Sequence, residues 1–223
     1  MSLTLAVDIT GECGSIALAD TQGIREEVLL LEPRAFSEVL FGEIRALLHR
    51  QNVAVKEIGL FAGAAGPGSF TGVRIGLAAI KGLAEVLRQP VVTVSNLEAV
   101  ATYGTGPLRA ALIDARRGEF YAALFDAAGN PVIPESVISL DRFLSLMPEE
   151  EVEWVSSDPD AFAAQLEGTR FASMPRKRAP RGLAGAIARI AIGRLAAGLA
   201  VDPAVVEANY VRRSDAEVFW KQF

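Results

Sequence analysis

The strongest constraint on the fold is an order of predicted elements that occurs twice along the 223-residue chain. In each half, three apolar segments separated by turn residues predict a meander of strands, and a helix, a strand and a second helix follow. The first copy lies within residues 3–88 and the second within 108–167. We therefore predict an α/β fold of two related lobes with a cleft between them.

The boundary between the copies is placed at GTGP, residues 104–107, because glycine and proline there predict a hinge. This division predicts a first lobe at 1–103 and a second, smaller lobe at 104–223. The C-terminal segment of the second lobe is expected to cross back to the first.

The chain is more apolar than a soluble monomer requires, with 51% hydrophobic residues and a mean hydropathy of +0.29. Its longest uncharged run, residues 58–73, is too short to span a bilayer and contains a proline. We therefore expect a protein partner, and no membrane, to cover the excess apolar surface. The single cysteine, Cys13, and the lack of a basic segment before Asp8 predict a cytoplasmic location.

The net charge of −5 argues against nucleic-acid binding by this chain alone, because phosphate binding needs a positive field. One basic segment, PRKRAPR at 175–181, has two interpretations. It is either a solvated loop or an RNA contact made within a larger assembly.

The segment AGPGSFTGVRIG, residues 65–76, leaves a predicted buried strand and enters a helix. We call its central part the glycine loop: Gly66, Pro67, Gly68, Ser69, Phe70, Thr71 and Gly72. The loop matches neither GxxxxGK[ST] nor GxGxxG. Two interpretations stay open, a tight strand-to-helix connection and a weak anion site at a helix N-terminus.

The turn after the first strand has part of the pattern D-x-G-[ST] that cradles nucleotide phosphates in actin-like ATPases and sugar kinases. Asp8, Thr10 and Gly11 form this degenerate phosphate turn, and Glu12 adds a negative charge that repels phosphate. His49 is the only histidine, so converging metal ligands of the usual kind are missing. We predict no catalytic residue, no metal site and no strong nucleotide site.

Two predicted helices, 34–50 and 72–88, carry more apolar surface than one sheet can cover. Around the axis of the first helix, apolar residues cover about 200°. Around the second, all charged residues fall within about 60°, so the remaining circumference is apolar or small. Either the second lobe buries both helices or they face another protein, and the high overall hydrophobicity favours the partner. The expected contact residues are apolar or small, namely Phe36, Val39, Leu40, Ile44, Leu47, Val73, Ile75, Gly76, Ala79, Leu83 and Val86.

Several segments resemble the bacterial TsaB family, also called YeaZ, of the tRNA threonylcarbamoyladenosine machinery. The most specific is GPGSFTGVRIGLAAIKGLA at 66–84, and the opening hairpin at 6–18 is also similar. Three further segments extend the resemblance over nearly the whole chain, PVVTVSNLEAVA at 90–101, IDARRGEFYAALFD at 113–126 and EANYVRR at 207–213.

The resemblance implies two actin-like or sugar-kinase-like (ASKHA) lobes, the second reduced. It also implies a non-catalytic subunit that homodimerises when alone and pairs, through first-lobe helices, with the catalytic paralogue TsaD. The ATPase TsaE joins that assembly, so this chain needs no cofactor, and ATP and metal are expected on the partner subunits. Contact with tRNA is expected only through the complex.

Two positions depart from the family pattern: Phe36 replaces a histidine and Ala208 stands where proline is common. A different class of function also stays open. Asp8 and the glycine loop in a two-lobed cleft would suit an ATP-binding kinase-like enzyme or a metallopeptidase.

Overall fold

A computed structural model describes residues 3–31 and 36–211 and divides them into two compact units. Of the described residues, unit 1 contains 3–31, 36–96 and 181–209, and unit 2 contains 97–180 with 210–211. The observed division differs from the predicted one at 103/104 in two ways. The first boundary falls earlier, between residues 96 and 97, and residues 181–209 belong to unit 1.

The predicted hinge belongs to unit 2, and a buried carboxylate explains why. Oε2 of Glu153 accepts hydrogen bonds from the backbone N–H of Thr105 (2.6 Å) and of Gly106 (2.8 Å). These contacts attach the 104–107 stretch to a strand of unit 2, so the stretch is a held turn within that unit.

Unit 1 is built on a five-stranded mixed sheet in the order β3-β2-β1-β4-β5. Its strands are β1 (Leu3–Asp8), β2 (Gly14–Asp20), β3 (Gly23–Leu30), β4 (Ile58–Gly66) and β5 (Val91–Ser95). The first three form the predicted antiparallel meander, whereas β1, β4 and β5 are parallel. Its helices are α1 (Phe36–Arg50), α2 (Phe70–Leu87) and α6 (Ala184–Ala196). The short α3 (Asn96–Ala101) begins at Asn96, and its remaining residues belong to unit 2. The predicted start of α1 at Arg34 lies outside the described residues.

The two faces of this sheet carry side chains of different size. Leu5 and Val7 of β1 lie in one apolar cluster with residues of α1 and α2. Ala6 and Asp8, which alternate with them, point to the face that α6 covers. The buried residues of α6 are mostly alanine and glycine, so this helix lies close to the sheet. Both faces are therefore occupied by helices of the same unit.

Unit 2 repeats the topology of unit 1 with shorter helices. Its sheet order is β10-β9-β6-β7-β8, the equivalent of the order in unit 1. The strands are β6 (Leu108–Asp114), β7 (Glu119–Asp126), β8 (Pro131–Ser139), β9 (Glu153–Ser156) and β10 (Arg176–Arg178), with helices α4 (Leu140–Leu144) and α5 (Ala163–Leu166). The predicted duplication is confirmed. Both sheets have five strands, and the second lobe is reduced in the length of its helices.

An aromatic cluster fills the core of unit 2. Trp154 is fully buried, and the centroid of its ring lies 5.8 Å from those of Phe162 and Phe171. Phe162 also meets Phe120 edge to face, with 6.0 Å between ring centroids. Phe162 therefore joins the short α5 region to the sheet.

Truncating Phe162 to alanine should destabilise unit 2 by about 3–5 kcal/mol, because it removes a fully buried ring that contacts two other rings. The free energy of unfolding would be measured by denaturant titration with tryptophan fluorescence. Leu146→Ala is the control, since Leu146 is exposed and its truncation should change stability by less than about 0.5 kcal/mol. Equal effects of both variants would contradict this account of the core.

Candidate functional site

The glycine loop connects β4 to α2 in three residues, Pro67 to Ser69. Ser69 caps the helix, and its Oγ accepts a hydrogen bond from the backbone N–H of Gly72 (3.2 Å). Gly66 has a φ of +98°, a conformation that favours glycine at this strand end. The connection is therefore a capped, sharp turn from strand to helix.

The same loop lies directly against the degenerate phosphate turn. The backbone N–H of Ser69 donates to the carbonyl oxygen of Thr10 (2.7 Å). A Cβ on Gly68 would lie 2.8 Å from that oxygen, and a Cβ on Gly72 would overlap the carbonyl of Ile9. Gly68 and Gly72 are thus required for close packing of α2 on the turn.

Backbone N–H groups of the glycine loop that could bind an anion already donate hydrogen bonds within the protein. The N–H groups of Gly66, Ser69 and Gly72 all donate within unit 1. The first of the two interpretations, a tight structural connection, therefore accounts for the glycines. The weak anion site stays a prediction.

Asp8 is the buried centre of a hydrogen-bond network at this junction. Its Oδ1 accepts hydrogen bonds from the backbone N–H (3.0 Å) and the hydroxyl (2.6 Å) of Thr10. The Asn96 amide donates to Thr10 Oγ1 (2.7 Å), and its Oδ1 accepts from Gly66 N–H (3.0 Å). Asn96 therefore joins the phosphate turn to the glycine loop.

Asn96 is absent from the residues that the sequence singled out. The available signal was its position directly after β5, where polar side chains at the carboxyl end of a parallel strand meet those of its neighbours. Gly11, the third predicted residue of the turn, is exposed and makes no such contact in the network.

Burial raises the pKa of the Asp8 carboxyl above its usual range, although hydrogen bonds from Thr10, Asn96 and the N–H of Leu183 act to lower it. Leu183 directly precedes α6, whose first N–H groups are also occupied. Ala184 donates to Ser15 Oγ (2.9 Å) and Gly185 donates to Glu27 Oε1 (3.0 Å). The turn, the loop and the start of α6 therefore form one connected junction, which we call the Asp8 junction.

Seven of the predicted partner contacts are buried inside unit 1. They belong to its core cluster or, for Gly76, face it: Phe36, Leu40, Ile44, Leu47, Val73, Gly76 and Ala79. Their assignment to an exposed surface is wrong, because they face the apolar cluster that α1 and α2 share with strands β1, β2 and β4 and with Val206. Phe36, in place of the family histidine, is a core residue close to Gly14.

The other four predicted contacts keep solvent exposure. Val39, Ile75 and Leu83 are half-buried, and Val86 is 82% exposed. Ile75 and Val86 lie on one side of α2 together with exposed small residues. We call this side the outer face of α2, and it comprises Thr71, Ile75, Ala78, Gly82 and Val86.

The basic segment 175–181 contains the edge strand β10, which the sequence did not predict because three consecutive basic residues have no strand pattern. Arg178 forms ion pairs with Asp158 and Asp160. Arg176 donates to the carbonyl oxygen of Ala172 (3.1 Å). Part of the basic charge is therefore balanced by neighbours in unit 2, and the RNA contact stays a prediction.

Within residues 3–31 and 36–211, no three histidine, cysteine, aspartate or glutamate side chains converge as a metal site would require. Among the helices that the structure describes, none is both long and apolar enough to cross a membrane.

Gly72→Ala should destabilise unit 1 by about 3 kcal/mol, because its methyl group would overlap the backbone of Ile9 and Thr10. Gly82→Ala, in the same helix, is the matched control. Open space surrounds Gly82, so alanine there should stabilise the helix by about 0.5–1 kcal/mol. Denaturant titration of both variants measures the difference, and equal effects would contradict the close packing at Gly72.

A carboxyl with a raised pKa makes its largest contribution to stability below the pKa of the unfolded chain, and the contribution falls as pH rises through the folded pKa. Wild-type stability minus that of Asp8→Asn should therefore decrease from pH 4 towards neutral pH. Urea titrations at several pH values would measure it. Asp20, Glu26 and Asp126, whose pKa values are lowered, are present in both proteins, so their pH-dependent contributions cancel in the difference. A pH-independent difference would contradict the burial of Asp8.

Comparison with known proteins places this architecture in a family. The family model described as "TsaD: tRNA N6-adenosine threonylcarbamoyltransferase" matches residues 30–180. The chain is 30% identical to the tRNA threonylcarbamoyladenosine biosynthesis protein TsaB of Bacillus subtilis, over 66% of both chains. It is 31% identical to the protein of the same name from Escherichia coli, over 68% of this chain and 69% of the relative.

The structural comparison extends over almost the whole chain. An uncharacterized Pseudomonas aeruginosa protein with similarity to peptidase YEAZ aligns with a TM-score of 0.81 and 26% identity, covering 95% of this chain and 100% of that one. This match confirms the expected class of two actin-like α/β lobes. Together with the sequence matches, it shows that the chain belongs to the TsaB (YeaZ) family.

Proposed function

We propose that this chain is a non-catalytic subunit required for threonylcarbamoyl transfer to the tRNA adenosine next to the anticodon. It acts by dimerising with a TsaD-like transferase, and a TsaE-like ATPase joins the assembly. In the absence of these partners it forms a homodimer. The curated relatives' names support the pathway, since both are tRNA threonylcarbamoyladenosine biosynthesis proteins.

The observation that carries the partner role is the outer face of α2. Its exposed positions are small or apolar, and Val86 at its C-terminal end is 82% exposed. Ala78 and Gly82, one turn apart, let another helix approach closely because neither has a side chain beyond Cβ. A valine this exposed on a small, uncharged helical strip is typical of a surface that a partner covers.

Helix α1 supplies a further exposed apolar residue. It packs on the same face of the sheet as α2, because residues of both helices share one apolar cluster. Phe41 of α1 is 54% exposed, and aromatic side chains are enriched at protein interfaces. Phe41 was outside the predicted contact set, and we add it to the proposed interface.

The Asp8 junction supports a role without a nucleotide. The polar atoms of Thr10 and Asn96 that lie beside the glycine loop hydrogen-bond to each other and to Asp8 and Gly66. A phosphate entering here would have to break these contacts next to a buried carboxylate. In this proposal the partner subunits bind ATP and metal, and tRNA binds only through the complex. The chain acts in the cytoplasm.

Ala78→Glu and Val86→Glu should each weaken binding to the TsaD-like partner by at least about 100-fold, because a carboxylate would be buried against an apolar surface. The measurement is co-elution of purified subunits followed by calorimetric titration. Ala196→Glu is the matched control, since Ala196 is an exposed alanine of α6. Unchanged binding by folded Ala78→Glu and Val86→Glu would contradict the proposed interface.

The function itself is tested by reconstitution. Transfer to tRNA by the purified TsaD-like and TsaE-like subunits should depend on this chain, and the two α2 variants should lose that support. Tight ATP binding, or a stoichiometric metal, in the isolated chain would favour the kinase-like or metallopeptidase alternative and would contradict the non-catalytic role.

A further inference from the structure

An open cavity of about 380 Å³ lies at the C-terminal end of α2. One wall comes from the last turn of α2 and the following Pro90, and the other from residues 200–203, which follow α6. A backbone bridge between Val91 and Val201 holds the walls together, with hydrogen bonds of 2.9 Å in both directions. The cavity is therefore a built feature of unit 1.

Three charged side chains line the cavity, Glu85, Arg88 and Asp202. Within the part of the chain that the structure describes, the side chains of Glu85 and Arg88 make no hydrogen bond or ion pair. Asp202 uses Oδ1 to cap the N–H of Ala204 (2.8 Å), which leaves its second oxygen available. These opposite charges share a cavity without neutralising one another.

The charge balance of the cavity favours a cation. Two carboxylates face one guanidinium, and the C-terminal end of the 18-residue α2 adds partial negative charge. The next cation on the same side of α2, Lys81, donates to the carbonyl oxygen of Val206 (2.9 Å) and does not line the cavity. A ligand with a positive group would complete the pairing.

The shape and the surroundings fit a long side chain from a protein. Apolar wall residues such as Ala84, Pro90 and Pro203 suit the aliphatic stem of lysine or arginine, whose charged end would reach the carboxylates. Val201 and Val205, which are 40% and 64% exposed, supply apolar surface beside the opening. A free polyamine would leave these valines in water, whereas a protein segment would cover them.

We propose that this cavity is a socket for one lysine or arginine side chain of the subunit that packs on the outer face of α2. The outer face ends at Val86, and the adjacent Glu85 already belongs to the socket, so one partner surface can cover both. The inference rests on the proposed function and adds a charged recognition element to an otherwise apolar contact. Such an element would select the partner and orient it along α2.

The test is the affinity of the full chain for the TsaD-like partner, measured by calorimetry at low and high salt. Glu85→Gln with Asp202→Asn keeps the size of both side chains and the capping oxygen. It should weaken binding by about three- to tenfold at low salt, with a smaller effect at high salt. Glu150→Gln with Glu167→Gln is the matched control, because it removes two exposed carboxylates from unit 2 and should leave affinity unchanged.

The Arg88→Gln variant tests whether the side chain in the socket is positively charged. It removes the cation that repels a basic side chain, so binding should tighten by about two- to threefold at low salt. Weaker binding by Arg88→Gln, or unchanged binding by the Glu85/Asp202 double variant, would overturn the socket. Spermidine binding to the isolated chain that disappears in the double variant and does not compete with the partner would also overturn it.

The outcomes separate the socket from the proposed function. If Ala78→Glu abolishes the complex while the Glu85/Asp202 variant binds like wild type, the α2 interface stands and the socket is wrong. If neither change affects the complex, the interface itself is wrong. Far-UV circular dichroism and the urea midpoint of each variant show whether unit 1 remains folded.

Discussion

The arrangement of unit 1 depends on the contact between the glycine loop and the turn after β1. Glycine at positions 68 and 72 lets the start of α2 lie against the carbonyl groups of Ile9 and Thr10. Asp8, Thr10 and Asn96 then satisfy the polar groups that this approach buries. Because unsatisfied buried polar groups cost about 1–3 kcal/mol each, the packing and the hydrogen bonds require one another.

The Asp8 junction also explains how both faces of one sheet are covered. The N–H of Leu183 donates to Asp8, and Ser15 and Glu27 receive the first N–H groups of α6. Helix α6 on one face and helix α2 on the other are thus linked through Asp8 and its hydrogen-bond partner Thr10. The segment after α6 then returns to α2, where Val206 joins the core and accepts a hydrogen bond from Lys81. The outer sides of these helices stay exposed to other molecules.

The element order was predictable because strand and helix periodicities are local, and the duplicated order confirmed it. The interface residues were less predictable, because a helical projection counts apolar residues without showing what covers them. Val73 and Ala79 lie in the apolar cluster of unit 1, which the projection could not show. Asn96 and β10 were missed because a single polar residue and a run of three basic residues have no periodic pattern. The glycine loop was located by sequence, whereas its contact with Thr10 needed coordinates.

A match to a transferase family model over residues 30–180 shows a shared architecture, and function has to be argued from the site. Here the turn that cradles phosphate in kinase-like lobes is filled by its own hydroxyl and amide partners. The same contacts hold α2 rigidly, with its small and apolar side outward. A rigid helix loses little conformational entropy when it is covered, so more of the contact energy remains for association. For the proposed role, an internal hydrogen-bond network at this turn is therefore an advantage, because it prepares α2 for association with another subunit.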